Sequence, residues 1–341
     1  MIPWAKPKLT RTDLMHLNRA FKSNWISGGQ YIKKLEDALK NIFKQKNILV
    51  TSSGTAAIHL AYLSIGLKTG DEIIVPGYGY LAAANIGKLL NLKVKFADVD
   101  PNTFCVTKNS IIKIITKKTK AIVVTHTYGN MCEIDKIKKL ARKKRILLIE
   151  DSAEALGSKY KNRFSGTFAD IGIYSFQATK TITTGEGGAI IAKSKKIFKR
   201  MKLFRSHGIL NKRYYHLVPG HNFRLSNLLA SIGYSQIKRI NEIIRNRKKI
   251  FSFYVKYLNK KKFEMQTITN NTNFSPWTVS IKINNNFSQK QRDELIALLL
   301  KKGIETRNGF YAPSELKIFP KKKLSNSLML SRRIINLPLY E

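Results

Sequence analysis

The chain is short of cysteine, of acid and of long apolar runs, and each shortage narrows what it does. Its two cysteines, Cys105 and Cys132, stand outside any C-x-x-C spacing. That argues against a disulfide framework or a cysteine-built zinc site, and for a reduced, cytoplasmic setting. No apolar stretch approaches the ~18 residues of a membrane span. The opening MIPWAKPKLT lacks the apolar core of a secretory leader, and the six histidines are not spaced as metal ligands. Acidic residues number 21 against 62 Lys and Arg, a formal charge of +41. Such a field draws anions: nucleic acids, acidic headgroups, phosphorylated metabolites. The basic runs are scattered, however, over Lys138–Arg145, Lys193–Arg200, Arg245–Lys249 and Lys321–Lys323. With no clustered stripe and no known module, a solvated lysine-rich surface is the plain reading, and nucleic acid is not an expected partner.

What is present is an alternation. Hydrophobic residues make up 43%, enough for a sizeable core, and 341 residues allow two domains. Helical periodicity over Asp13–Lys22 and Tyr31–Phe43 precedes a strand at Asn47–Val50; Ala56–Ile65 is again helical. Strands follow at Thr69–Pro76, Val94–Val99, Ala121–His126 and Ile146–Asp151, with helices at Leu81–Leu90, Ser110–Thr116 and Ile134–Lys143 between them. Most of these strands are continuous apolar runs, the mark of parallel strands covered on both faces. The pattern predicts a three-layer α/β domain with a mostly parallel central sheet over residues 1–234. A smaller α+β domain is expected over 235–341. It begins with a basic helix, Ile240–Tyr257, and contains a half-exposed strand at Trp277–Ile283. A helix over Ser288–Gly303 follows, with Ser288 and Gln291 as its capping box.

Three polar stretches fall just past strand ends, where open α/β sheets hold their ligands. Thr51–Ala57, TSSGTAA, offers small residues, hydroxyls on Ser53 and Thr55, and a helix N-terminus suited to an anion. It matches neither G-x-x-x-x-G-K-[ST] nor G-x-G-x-x-G, and an ordinary N-cap reads as well. Ile149–Ser158 places Asp151 at the end of a buried strand, where a carboxylate holds a cationic ring nitrogen or makes a structural ion pair. Tyr174–Gly188, YSFQATKTITTGEGG, sets Lys180 between a strand and a glycine-rich turn, with Ser175 in reach of a phosphate. Desolvation there makes an amine nucleophilic; a surface lysine is the bland alternative. A phosphate cradle, a strand-end acid and a strand-end lysine, in that order, fit pyridoxal 5′-phosphate (PLP).

The chain resembles the DegT/DnrJ/EryC1/StrS family of PLP-dependent sugar aminotransferases, of PLP fold type I. The resemblance runs through NWISGGQYIKKLE, SSGTAAIHLAYLSIGLKTGDEIIVPGYGYLAAAN, IEDSAEALGSKY, GTFADIGIYSFQATKTITTGEGG, RSHGI and HNFRLSNLLASIG. It implies that Lys180 carries the Schiff base and shuttles the proton, and that Asp151 pairs with the pyridine nitrogen. By the same resemblance Tyr80 stacks on the ring, Ser53, Gly54, Thr55 and Ser175 bind the phosphate, and Glu154 lies near the phenolic oxygen. Asn222 is expected to reach the phosphate of a neighbouring subunit, which implies a homodimer with shared active sites. The implied reaction moves an amino group from L-glutamate to a nucleotide-linked 4-keto-6-deoxysugar, with ping-pong kinetics. Glu154, KTITTGEGG and the opening residues look most like the perosamine-synthase branch, an O-antigen polysaccharide setting. Amination at the 3-position, a UDP- or dTDP-linked sugar, or a non-catalytic relative are the other readings. A sugar dehydratase on this fold has His where Lys180 stands.

Three departures from the family pattern are visible. Gly79 stands where Thr is usual, which predicts a looser ring cradle. Arg307–Phe319 lacks a His after its Phe-Tyr pair, and Glu341 directly follows LPLY, which predicts either an abbreviated small domain or an incomplete sequence. His207 and Arg224 read as loop residues or sugar contacts; Tyr128 and Trp25 read as core or rim packing.

Overall fold

The computed structural model describes residues 1–284 and 286–341. Along the first two-thirds of the chain the strands are β1 (Ile48–Thr51), β2 (Glu72–Pro76), β3 (Lys93–Ala97), β4 (Thr119–Thr125) and β5 (Leu147–Asp151). Then come a hairpin of β6 (Lys159–Tyr160) and β7 (Arg163–Phe164), β8 (Ile171–Ser175) and β9 (Gly188–Ala192). The C-terminal part adds β10 (Phe263–Met265), β11 (Thr272–Asn273), β12 (Val279–Ile283), β13 (Arg307–Asn308) and β14 (Ile334–Leu337).

Seven strands form one sheet in the order β1-β9-β8-β5-β4-β2-β3. Every pairing is parallel except those of β9, which runs against both β1 and β8. The carboxyl ends of β1, β2, β4, β5 and β8 therefore open onto one edge. Strands β1, β2, β8 and β9 are buried along their whole length, as their continuous apolar runs predict.

The helices are α1 (Arg11–Lys22), α2 (Gln30–Phe43), α3 (Gly54–Ile65), α4 (Ala82–Leu89), α5 (Lys108–Ile112) and α6 (Ile134–Lys144). After them come α7 (Lys195–Arg205), α8 (Asn227–Lys238), α9 (Ile240–Tyr257), α10 (Gln289–Lys301) and α11 (Ser325–Arg333). Helix α2 shows how pattern becomes packing. Tyr31, Leu35, Leu39 and Phe43 recur at helical spacing, and all four are buried against β1, β9 and α8. Each such burial contributes roughly 1.5–3 kcal/mol. Helix α3 is apolar almost all round, because it lies between the sheet and α4 and α7.

The small sheet has the order β10-β12-β14-β13 and its own apolar cluster, built on Val279, Ile281, Ile283, Ile335 and Leu337. Here three expectations need correction. Strand β12 is not half-exposed; all five residues are buried. Its polar residues meet protein rather than water: Ser280 Oγ donates to Asn336 Oδ1 at 2.5 Å, and Lys282 pairs with Glu264 at 2.8 Å. Alternation in sequence thus marked two kinds of buried face. The helix expected over Ser110–Thr116 is the five-residue α5, which starts earlier on a Thr107–Ser110 capping box and stops at Ile112. Trp25 is likewise not core packing, being 68% exposed. The capping box of Ser288 and Gln291 is formed as expected.

The first residues join the small unit. Ile2 bridges Ile304 in parallel, and the Trp4 N–H donates to Glu305 Oε2 at 3.0 Å. Leu339 N–H closes on Trp4 O at 3.4 Å. Among the described residues no helix is long and apolar enough to cross a membrane.

Candidate active site

A cavity of about 460 Å³ lies at the carboxyl ends of the parallel strands. It brings together Ser53, Gly54, Thr55, Tyr80, Asp151, Glu154, Ser175 and Lys180, eight of the nine residues singled out in the sequence. Its size is that of a small-ligand site.

The phosphate-cradle stretch leaves β1 and turns into α3. Ser53 Oγ accepts the Ala56 N–H at 3.0 Å, so it is a helix N-cap as well as part of the cavity wall. The helix start aims its free N–H groups and positive dipole end at the cavity. Gly54 touches the end of β8: a Cβ there would stand 3.0 Å from Ser175 Cβ. Gly188 packs from below, where a Cβ would fall 2.7 Å from Gly54 N. The glycine-rich turn after Lys180 is therefore what lets β9 lie against the mouth of α3.

Tyr80 follows β2 and is 64% exposed, its ring edge-to-face with Phe310 at 6.4 Å. Gly79 before it takes φ +136°, a backbone region closed to most L residues, while a Cβ would find only ordinary contacts. Backbone conformation, not crowding, explains glycine there.

Asp151 ends β5 and is buried; its Oδ1 accepts the Ala153 N–H at 3.1 Å. Burial pushes its pKa up, against the opposing pull of that N–H and of Lys180. Beneath it Glu150 faces the opposite way and accepts from the N–H groups of Gly166, Phe168 and Ala169 and from His126. That buried hub anchors β5, and so fixes where Asp151 emerges.

Glu154 is buried. One oxygen accepts the Tyr128 N–H at 2.8 Å; the other, Oε1, has no hydrogen-bond partner and faces Lys180 Nζ at 3.8 Å. Burial lifts its pKa to about 7, against the lowering influence of Lys180 and the Tyr128 N–H. The folded carboxyl thus keeps its proton where the unfolded one releases it. Between pH 4.5 and about 7 the folded state binds more protons, so this contribution is intact below 4.5 and is lost as pH rises through that window. Unfolding temperatures of the cofactor-free protein from pH 5 to 8 should show it: Glu154→Gln flattens the decline by roughly 2–3 kcal/mol. Parallel profiles for the two proteins would refute the assignment.

Lys180 is 13% exposed at its side chain. Burial lowers its pKa, opposed by Glu154 and Asp151. Asn222 is the one predicted residue outside the cavity. It lies exposed, bridged to Ser206, its Oδ1 taking the Arg224 Nε–H at 2.9 Å. Arg224 thus pins this loop, and His207 sits in it with φ +58°. Tyr128 is core, as expected, stacked on Phe310 at 5.3 Å and 13°.

Sequence reasoning missed the opposite wall. Trp4, Trp277, Arg307, Asn308, Phe310 and Asn336 come from the N-terminus and the small sheet. Trp4 and Trp277 meet edge-on at 5.5 Å and 89°, and the Arg307 guanidinium lies over Trp4 at 4.7 Å. The one local sign was the Arg307–Phe319 stretch, set apart in the sequence by the missing His after its Phe-Tyr pair.

Comparison with known proteins agrees with this geometry. The chain is 36% identical to the GDP-perosamine synthase of Escherichia coli, over 99% of this chain and 93% of that one. It is 34% identical to the GDP-perosamine synthase of Vibrio cholerae, over 99% and 94%. Among solved structures, an aminotransferase of pseudoaminic acid biosynthesis from Helicobacter pylori superposes with TM-score 0.95 at 26% identity, over 99% and 94%. The PLP form of a Streptococcus pneumoniae chain gives 0.94 at 25%, over 100% and 94%. The model of the DegT/DnrJ/EryC1/StrS aminotransferase family matches residues 7–341. The chain belongs to that family and is a PLP-dependent sugar aminotransferase.

Proposed function

We propose that this enzyme transfers the amino group of L-glutamate to the 4-position of GDP-4-keto-6-deoxy-mannose, yielding a GDP-perosamine. The observation that carries the reading is the meeting of Lys180, Asp151 and the Ser53–Thr55 and Ser175 cradle in one cavity. The names of the full-length relatives support the choice of sugar and nucleotide. A UDP-linked sugar is the second reading, favoured by a Campylobacter jejuni altrosamine transaminase that is 34% identical over 77% of this chain.

The residues present fit PLP. The cradle offers N–H and hydroxyl groups where a phosphate would sit, and Gly54 lets the start of α3 lie directly against Ser175 at the end of β8. Glu154 Oε1 is a buried, unpartnered oxygen; carrying a proton, it would donate to the phenolic oxygen. Asp151 would hold the pyridine N–H, and Tyr80 would cover one ring face. Bound PLP supplies the electron sink that lets a carbon–hydrogen bond next to nitrogen ionise. This chain supplies the rest. Lys180 Nζ attaches the cofactor, and once released takes the proton from the donor's α-carbon and later returns one to the sugar carbon. Desolvation favours the neutral form of that amine, which can take a proton and then release it. The Trp4–Trp277 wall limits water access.

We assign the cofactor-holding part to residues 1–234 and the smaller domain to 235–341. A cytoplasmic homodimer, with Asn222 reaching the partner's phosphate, completes the reading, and surface-polysaccharide (O-antigen) assembly is the destination of its product. The test is the absorbance of the PLP-loaded protein before and after L-glutamate, followed by a panel of GDP-, UDP- and dTDP-linked keto-sugars. We expect glutamate to bleach the visible band and the GDP-linked 4-keto sugar to restore it. Restoration by a UDP-linked sugar alone would replace the GDP assignment, and a band unmoved by glutamate would overturn the donor.

A further inference from the structure

Lys180 Nζ lies 3.6 Å from the centroid of the Trp277 indole. The ring is held in place on several sides. Its Nε1–H donates to Thr179 O at 2.8 Å, the carbonyl just before the lysine. Its backbone N–H donates to Tyr128 O at 3.3 Å, and its plane lies 22° from that of Tyr128. Trp4 closes the far edge. The indole cannot follow the lysine; the lysine comes to it. No carboxylate competes at hydrogen-bonding distance, since Glu154 Oε1 stands at 3.8 Å. An ammonium over an indole face, out of water, gains from the ring quadrupole, whereas a neutral amine gains little.

We propose that the face of Trp277 is the holding place of the Lys180 ammonium whenever that amine is not bonded to the cofactor, making Trp277 a positioning residue for the proton shuttle. The inference rests on the aminotransferase reading. The ring discriminates between protonation states. It holds the protonated amine at the cavity wall and releases the neutral one. Asp151 and Glu154 face the amine from β5 and the turn after it, and Arg307 is the other cation lining the cavity. Trp277 is thus the uncharged partner in the set.

The test needs no turnover. In full-length, cofactor-free protein, Lys180 is labelled with acetic anhydride across pH and quantified by peptide mass spectrometry, with exposed lysines as internal references. Removing the ring face in Trp277→Leu should lower the Lys180 midpoint by about one pH unit, a roughly ten-fold gain in labelling below it. Fluorinated tryptophans at position 277 weaken the quadrupole while keeping the shape, and so remain informative if the leucine variant fails to fold. The midpoint should fall stepwise with each fluorine. A flat fluorine series, or a leucine variant whose midpoint is unchanged or raised, would overturn the proposal. Because labelling is independent of glutamate, such a failure is distinct from failure of the proposed reaction, which the absorbance test reads.

Discussion

Replacing Lys180 with alanine should remove at least about three orders of magnitude of amino-transfer rate, the scale of a lost acid–base group. The same variant should still take up PLP. The cradle of Ser53, Gly54, Thr55 and Ser175 and the carboxylate of Asp151 are built by β1, β8 and β5, none of which depends on the lysine side chain. Lys180 instead leaves the turn after β8, where its backbone N–H is tied to Gln177 O at 2.8 Å. Its loss removes the amine without dismantling the wall. The measurement is single-turnover absorbance after mixing loaded protein with L-glutamate, with added methylamine as a chemical substitute. Partial return of rate with methylamine is expected. A variant with wild-type turnover would remove Lys180 from the chemistry.

The second large effect concerns charge alone. Asp151→Asn keeps the side-chain oxygen that accepts the Ala153 N–H and nearly the same volume, but cannot be an anion. In the buried place Asp151 occupies, a cationic ring nitrogen held there would be stabilised chiefly by that charge. The amide would leave the ring nitrogen neutral and weaken its pull on electrons. We expect kcat to fall on the order of 10²–10³-fold, the scale of other single electrostatic contacts to a transition state. Thermal stability should change little or rise, since a carboxyl that burial disfavours in its charged form is removed. Unchanged kcat in Asp151→Asn would exclude the pairing.

One side of the site was legible in the sequence and the other was not, and the reason is physical. Ser53, Asp151, Ser175 and Lys180 sit within a few residues of strand ends in a parallel sheet. Chain direction alone delivers such residues to one edge. Trp4, Trp277 and Arg307 reach the cavity through packing between distant segments, and no local period records that. The alternation of Trp277–Ile283 was read as one wet face because Ser280 and Lys282 are polar. Their partners, Asn336 and Glu264, are supplied by other strands. Lengths of short elements were similarly hidden: a capping box started α5 early, and nothing in its β-branched tail announced the stop at Ile112. Asn222 lies outside the cavity of its own chain, so a single chain gives it no place in the site.

The seam where Trp4 meets Leu339 and Ile2 meets Ile304 has a consequence for the order of synthesis. A ribosome adding about 5–20 residues per second completes the cradle and Lys180 well before Trp277 emerges. During that interval the lysine is exposed to water on the side that Trp277 later covers. Ile2 and Trp4, made before the cradle, must wait for Ile304 and Leu339, made long after it. Nascent chains stalled between Ala192 and Trp277 should therefore offer an ordinary, water-exposed amine, and the walled cavity should appear as a late, single event. Loss of that exposure would then report that Trp4 and Trp277 have met.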